Sequence, residues 1–116
     1  MNDLEGRKNR FMQDTLAIRI GGLAANLARV SSFSKFDSAK KAVSGLIEES
    51  QYFIEWTATE YDLSMTVELV GIQRLLAKWN STIDLIWNDT DKRGEISDRA
   101  KEISNQLLLK TGLLNQ

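Results

Sequence analysis

The apolar residues between positions 65 and 86 recur at alternating steps of four and three, the spacing that lines one face of an α-helix. They are Met65, Leu69, Ile72, Leu76, Trp79, Ile83 and Ile86. A stripe this long predicts a helix over residues 65–86 that buries one side against its neighbours. We expect Ile72, Leu76, Trp79 and Ile83 to be almost fully buried, because this helix should face the other helices of the chain.

The rest of the chain also favours helices. Its 116 residues include no proline, so no position forces a helix to break. Apolar stripes predict further helices over residues 8–31, over residues 37–60, and from Thr90 or Glu95 to Lys110. Short connections make consecutive helices antiparallel neighbours. The sequence therefore predicts an all-α protein, a single domain over residues 1–116 folded as an antiparallel up-down-up-down four-helix bundle.

The residue types that are missing restrict the possible chemistry. The chain has no histidine and no cysteine. This removes the usual general base near neutral pH, thiolate nucleophiles, and the ligands of most zinc and iron–sulfur centres. No run approaches the roughly 20 apolar residues of a membrane span. We expect a non-enzymatic, cytoplasmic protein with no catalytic residues, no cofactor, no metal centre and no membrane partner.

One segment resembles a calcium-binding EF-hand loop. Residues 89–97 carry Asp89 and Asp91 at loop positions one and three, and Gly94 at position six. Arg93 takes the fifth position, where an oxygen ligand is needed, and Ala100 takes the twelfth, where a glutamate should close the site. We expect no calcium binding, and interpret the segment as a polar turn whose acids cap the following helix.

Basic residues are predicted to gather at one end of the bundle, although the chain has a net charge of −1. The end of the first helix, the start of the second, the end of the third and the start of the fourth would meet there. The candidate contacts for nucleic acid are Arg29, Lys35, Lys40, Lys41, Lys92 and Arg93. Acidic residues such as Asp37 lie among them, and Phe33 and Phe36 are the nearby aromatics. Any nucleic-acid binding should therefore be weak and strongly salt-dependent.

A second candidate surface is the flank of the predicted second helix that carries Tyr52 and Trp56. These aromatics lie one turn apart and off the centre of the apolar stripe. They either pack at an edge between two helices or contact another subunit or partner. The second alternative makes them the candidate protein interface of this chain.

Three stretches together resemble a known family. They are Ala25-Asn26-Leu27-Ala28, Ser34-Lys35 and Ser44-Gly45-Leu46-Ile47-Glu48-Glu49. They are similar to the four-helix-bundle proteins encoded in rRNA intervening sequences, a family that resembles the accessory subunit of diversity-generating retroelements. The resemblance implies a helical bundle that forms oligomers and binds nucleic acid.

Two functions are thus open at the level of the sequence. The first is a non-enzymatic helical interaction module that self-associates or binds a protein partner. The alternative is a nucleic-acid-associated accessory protein that uses the basic end of the bundle. The mass of the protein in solution, with and without nucleic acid, separates them.

Overall fold

The computed structural model describes residues 3–112, and all its regular structure is helical. It contains five α-helices and two single turns of 3-10 helix. The α-helices are α1 (Asp3–Met12), α2 (Leu16–Phe33), α3 (Lys40–Thr57), α4 (Leu63–Ile86) and α5 (Thr90–Lys110), and the 3-10 turns are Asp37–Ala39 and Ala58–Glu60. Within the described residues there is no strand, and the predicted all-α class is confirmed.

The predicted first helix over residues 8–31 is wrong, because the structure divides it into α1 and α2. Thr15 ends the break, and its side chain caps the amino terminus of α2. Arg19 reaches back across the break and donates to the carbonyl oxygens of Met12, at 2.9 Å, and Asp14, at 3.0 Å. These bonds satisfy carbonyl groups that a continuous helix would have bonded internally.

The other predicted helices are confirmed, with boundaries that differ by no more than about three residues. Asp62 begins α4 as its amino-terminal cap and accepts from the backbone N–H of Met65 at 2.9 Å. Asp89 caps α5 in the same way. Gly112 follows α5 with φ of +78°, the left-handed conformation in which glycine commonly ends a helix.

α2 is the central helix, because it packs extensively on both α5 and α3. Small side chains bring α2 close to α5: Ser97 donates to the carbonyl oxygen of Ser31 at 2.7 Å, and Ser104 donates to that of Ala24 at 2.7 Å. A hydroxyl can bond a neighbouring helix backbone in this way only when the two helices lie close together. The α2–α5 pair therefore holds together parts of the chain that are distant in sequence.

The apolar stripe of α4 is buried as predicted at Ile72, Leu76, Trp79 and Ile83. The expectation that α4 faces all the other helices is wrong, however. α4 packs mainly on α3 and meets α5 at only a few positions. Bulky side chains such as Leu75 line the side of α4 next to α5, so these two helices cannot approach as closely as α2 and α5 do.

Candidate interaction surface

Tyr52 and Trp56 lie on α3, where α1 of the same chain partly covers them. Their rings stack with centroids 5.6 Å apart. Phe11 of α1 stacks on Phe53 at 4.2 Å and tilts against Trp56 at 5.7 Å. This arrangement agrees with the first alternative from the sequence, an edge between two helices. The proposed interface role of Tyr52 and Trp56 stays a prediction, with only part of each ring open to solvent.

Polar contacts also hold α1 against the rest of the chain. Arg7 on α1 donates to Glu49 on α3 at 3.3 Å, and Asn26 on α2 donates to the other oxygen of the same carboxylate at 3.0 Å. Asn26 is buried, so its pairing with Glu49 satisfies an amide that would otherwise be costly to desolvate. Glu49, which lies on α3, therefore connects this helix to both α1 and α2.

The prediction that Arg93 is a contact for nucleic acid is wrong, because this residue is only 7% exposed. It donates to the carbonyl oxygens of Ser34, at 2.8 Å, and Trp87, at 2.9 Å, and to the carboxylate of Asp37, at 3.0 Å. The guanidinium also lies 5.3 Å from the centre of the Trp87 ring. These bonds join the ends of α2 and α4 to the start of α5, and they leave Arg93 unable to serve as a phosphate contact.

The remaining basic residues at this end divide into two groups. Arg29 donates to Asn26 at 3.3 Å, and Lys40 pairs with Asp84 of α4 at 2.9 Å. Lys35, Lys41 and Lys92 are exposed, and their side chains form neither an ion pair nor a hydrogen bond within residues 3–112. Phe36, next to Lys35 in sequence, is 62% exposed. Half of the predicted set is thus available to a phosphate ligand.

The EF-hand-like segment is part of a helix. Asp89 accepts from the backbone N–H groups of Asp91, at 3.0 Å, and Lys92, at 3.2 Å, so it caps α5 as the sequence indicated. Across the described chain, no three acidic side chains come together as a metal-binding group. In place of a coordinating loop, residues 90–97 form the first turns of α5.

We therefore expect no response to calcium at physiological concentrations. The helical backbone directs the acids of residues 89–98 around the helix instead of toward one point, and Arg93 adds a positive charge among them. Isothermal titration calorimetry of the protein with calcium chloride should give only the heat of dilution. Micromolar binding that disappears in Asp89→Ala would contradict this prediction.

A groove lies between α4 and α5, and the sequence did not indicate it. The helices are joined by the short turn at residues 87–89, and Lys110 pairs with Glu68 at the opposite end. Between these two points they separate around adjoining depressions of about 590 and 270 Å³, which share Leu75 and Arg99. The apolar lining consists of Ile72, Leu75, Trp79, Ile86, Ile96 and Ile103.

Charged side chains border this apolar lining unequally. Lys78 is the charged residue contributed by α4 to the larger depression, whereas α5 contributes Lys92, Glu95, Asp98, Arg99 and Glu102. Arg99 pairs with Glu102 at 3.1 Å on its own helix. Among the described residues, Lys78, Lys92, Glu95 and Asp98 form no ion pair. The α4 wall is therefore basic. The α5 wall carries the unpaired acids Glu95 and Asp98 and the unpaired Lys92, and with the Arg99–Glu102 pair its two cations and three acids leave it a net charge of −1.

No protein-family model matches this chain, and comparisons with curated proteins and with solved structures find no significant match. The resemblance to the proteins of rRNA intervening sequences therefore stays a prediction. Within residues 3–112, none of the helices combines the length and the hydropathy needed to cross a membrane.

Proposed function

We propose that this protein is a non-enzymatic helical interaction module that self-associates. In this proposal α2–α5 form an antiparallel up-down-up-down four-helix bundle, and α1 is an additional helix packed on α3. The observation that carries the proposal is the groove between α4 and α5. It has an apolar lining and a charged border, the composition that helix-binding grooves share.

The groove supports association better than it supports catalysis. Its larger depression is lined by aliphatic, indole, hydroxyl, lysine, arginine and carboxylate side chains, a mixture typical of surfaces that contact another protein. A helix or a pair of helices placed on it would cover the partly exposed Leu75 and Ile86. Covering such residues is the main source of favourable free energy in association.

Light scattering coupled to size exclusion tests the proposal. We expect a mass that is a multiple of the 13.1 kDa chain, and a fall toward the single-chain mass on dilution. Adding a short oligonucleotide at physiological salt should leave the mass unchanged. A protein that remains at 13.1 kDa at every concentration would contradict self-association.

A nucleic-acid-associated accessory protein is the second candidate. The exposed Lys35, Lys41 and Lys92 favour it, since they have no ion-pair partner among residues 3–112, and Phe36 could stack on an unpaired base. An oligonucleotide that raises the mass in the same experiment, and fails to do so in a variant with Lys41→Glu and Lys92→Glu, would favour this candidate over the first.

A further inference from the structure

We propose that the α4–α5 groove is covered by the same groove of a second copy, in a symmetric dimer. The two-fold axis runs parallel to the helices, so that α4 of each copy lies on α5 of the other. This inference rests on the proposed function, self-association, and names the surface and the arrangement that produce it.

Charge complementarity is the first argument for a second copy as the occupant. Lys78 on the α4 wall and the acids Glu95 and Asp98 on the α5 wall have no ion-pair partner among the described residues. Lys78 lies about as far before the turn at residues 87–89 as Asp98 lies after it. Rotation about a two-fold axis parallel to the helices does not change the position of a residue along them. It therefore places each Lys78 beside the acids of the other copy.

The same charges argue against the other symmetric arrangement. A two-fold axis that crosses the groove at right angles to the helices would place α4 on α4 and α5 on α5. If that axis crosses the groove at the level of Lys78 and Asp98, Lys78 approaches its own copy, and Asp98 and the neighbouring Glu95 approach theirs. Like charges brought together at an interface are unfavourable and exclude the wrong pairing. A symmetric contact uses the same patch on both copies, so a basic wall and an acidic wall on one patch suit the first axis.

The available area is sufficient for a dimer. α4 has 24 residues, which gives a length of about 36 Å at ~1.5 Å per residue. Two helices, each about 10 Å across, make a face of roughly 700 Å² per copy. Specific interfaces bury about 800 Å² per partner. The partly exposed Leu75 and Ile86 supply apolar contacts for such an interface, and the charged walls supply its border.

Two charge-reversal variants test this arrangement. One is Lys78→Glu, and the other combines Glu95→Lys with Asp98→Lys. Each variant alone places like charges together at both contacts of the dimer, so its dissociation constant should rise by about tenfold or more. When the two are mixed, both contacts of a heterodimer pair opposite charges. Native mass spectrometry of the mixture, in which the variants differ in mass, should show heterodimers in excess over both homodimers.

Lys101→Glu is the matched control, because it makes the same change in net charge on an exposed α5 residue that does not line the groove. It should leave the dissociation constant unchanged. If Lys78→Glu behaves like Lys101→Glu, or if mixing restores no association while wild type is oligomeric, the arrangement is wrong but self-association stands. A wild-type protein that is monomeric at every concentration overturns both. Circular dichroism checks that each variant keeps its helicity.

Discussion

Replacing Leu76 with alanine should lower the free energy of unfolding by about 2–5 kcal/mol. Leu76 lies in the middle of α4 and is 0% exposed, so its side chain has neighbours on every side. Alanine would remove buried methyl groups and leave a cavity that the surrounding side chains can only partly fill. Urea denaturation followed by circular dichroism measures the change directly.

Leu85→Ala is the control for this substitution. It changes the same residue type on the same helix, but Leu85 is 85% exposed. Its effect should stay within about 0.5 kcal/mol. A loss below about 1 kcal/mol for Leu76→Ala would contradict the burial of this residue, because a buried leucine in a packed core costs more than that. Measurements at two protein concentrations separate folding from association.

Arg93→Ala should destabilise the protein by about 3 kcal/mol, since it removes hydrogen bonds from a charged donor to two backbone carbonyls and one carboxylate. The carbonyl oxygens of Ser34 and Trp87 would be left without this donor. The contact between the guanidinium and the Trp87 ring would also be lost. Chemical denaturation measures this loss in the free energy of unfolding. The near-ultraviolet circular dichroism of the protein should also change, because the surroundings of Trp87 change.

Two further substitutions test whether the several N–H donors of the guanidinium are needed for this stabilisation. Arg93→Lys keeps the charge but offers a single ammonium group, which cannot reach three acceptors in different directions, so it should recover less than half of the loss. Lys92→Ala, at an exposed neighbouring position, should change the stability by no more than about 0.5 kcal/mol. Equal stabilities for Arg93→Ala and Lys92→Ala would contradict the role assigned to Arg93.

The sequence predicts most of the helices because their signals are local. The stripe of α4 and the cap of α5 at Asp89 each depend on residues a few positions apart, and both are found in the structure. The break between α1 and α2 is different, since Met12, Leu16 and Ile20 keep a helical spacing straight through it. The interaction that stabilises the break is the side chain of Arg19 on the carbonyl groups before it.

The candidate site is less predictable because it depends on which helices pack together. Arg93 looks like an exposed cation in the sequence, and becomes buried only because the ends of α2 and α4 meet beside it. The groove arises because α5 packs on α2 instead of on α4. The presence of Leu75 next to the stripe of α4 is a sequence signal for it, but that signal does not distinguish a groove from an ordinary core edge.

The pairing of α2 with α5 also affects the order in which the chain can fold. The hydrogen bonds between these helices join residues 66 and 80 positions apart. Closing such long loops carries an entropy cost before any contact forms, so this all-helical chain has a larger share of non-local contacts than a hairpin of helices would. During synthesis, the apolar face of α2 that α5 covers remains open until α3, α4 and α5 have all left the ribosome. Folding of this protein is thus completed only after α5 is released. Until then, the open face of α2 is accessible to chaperones.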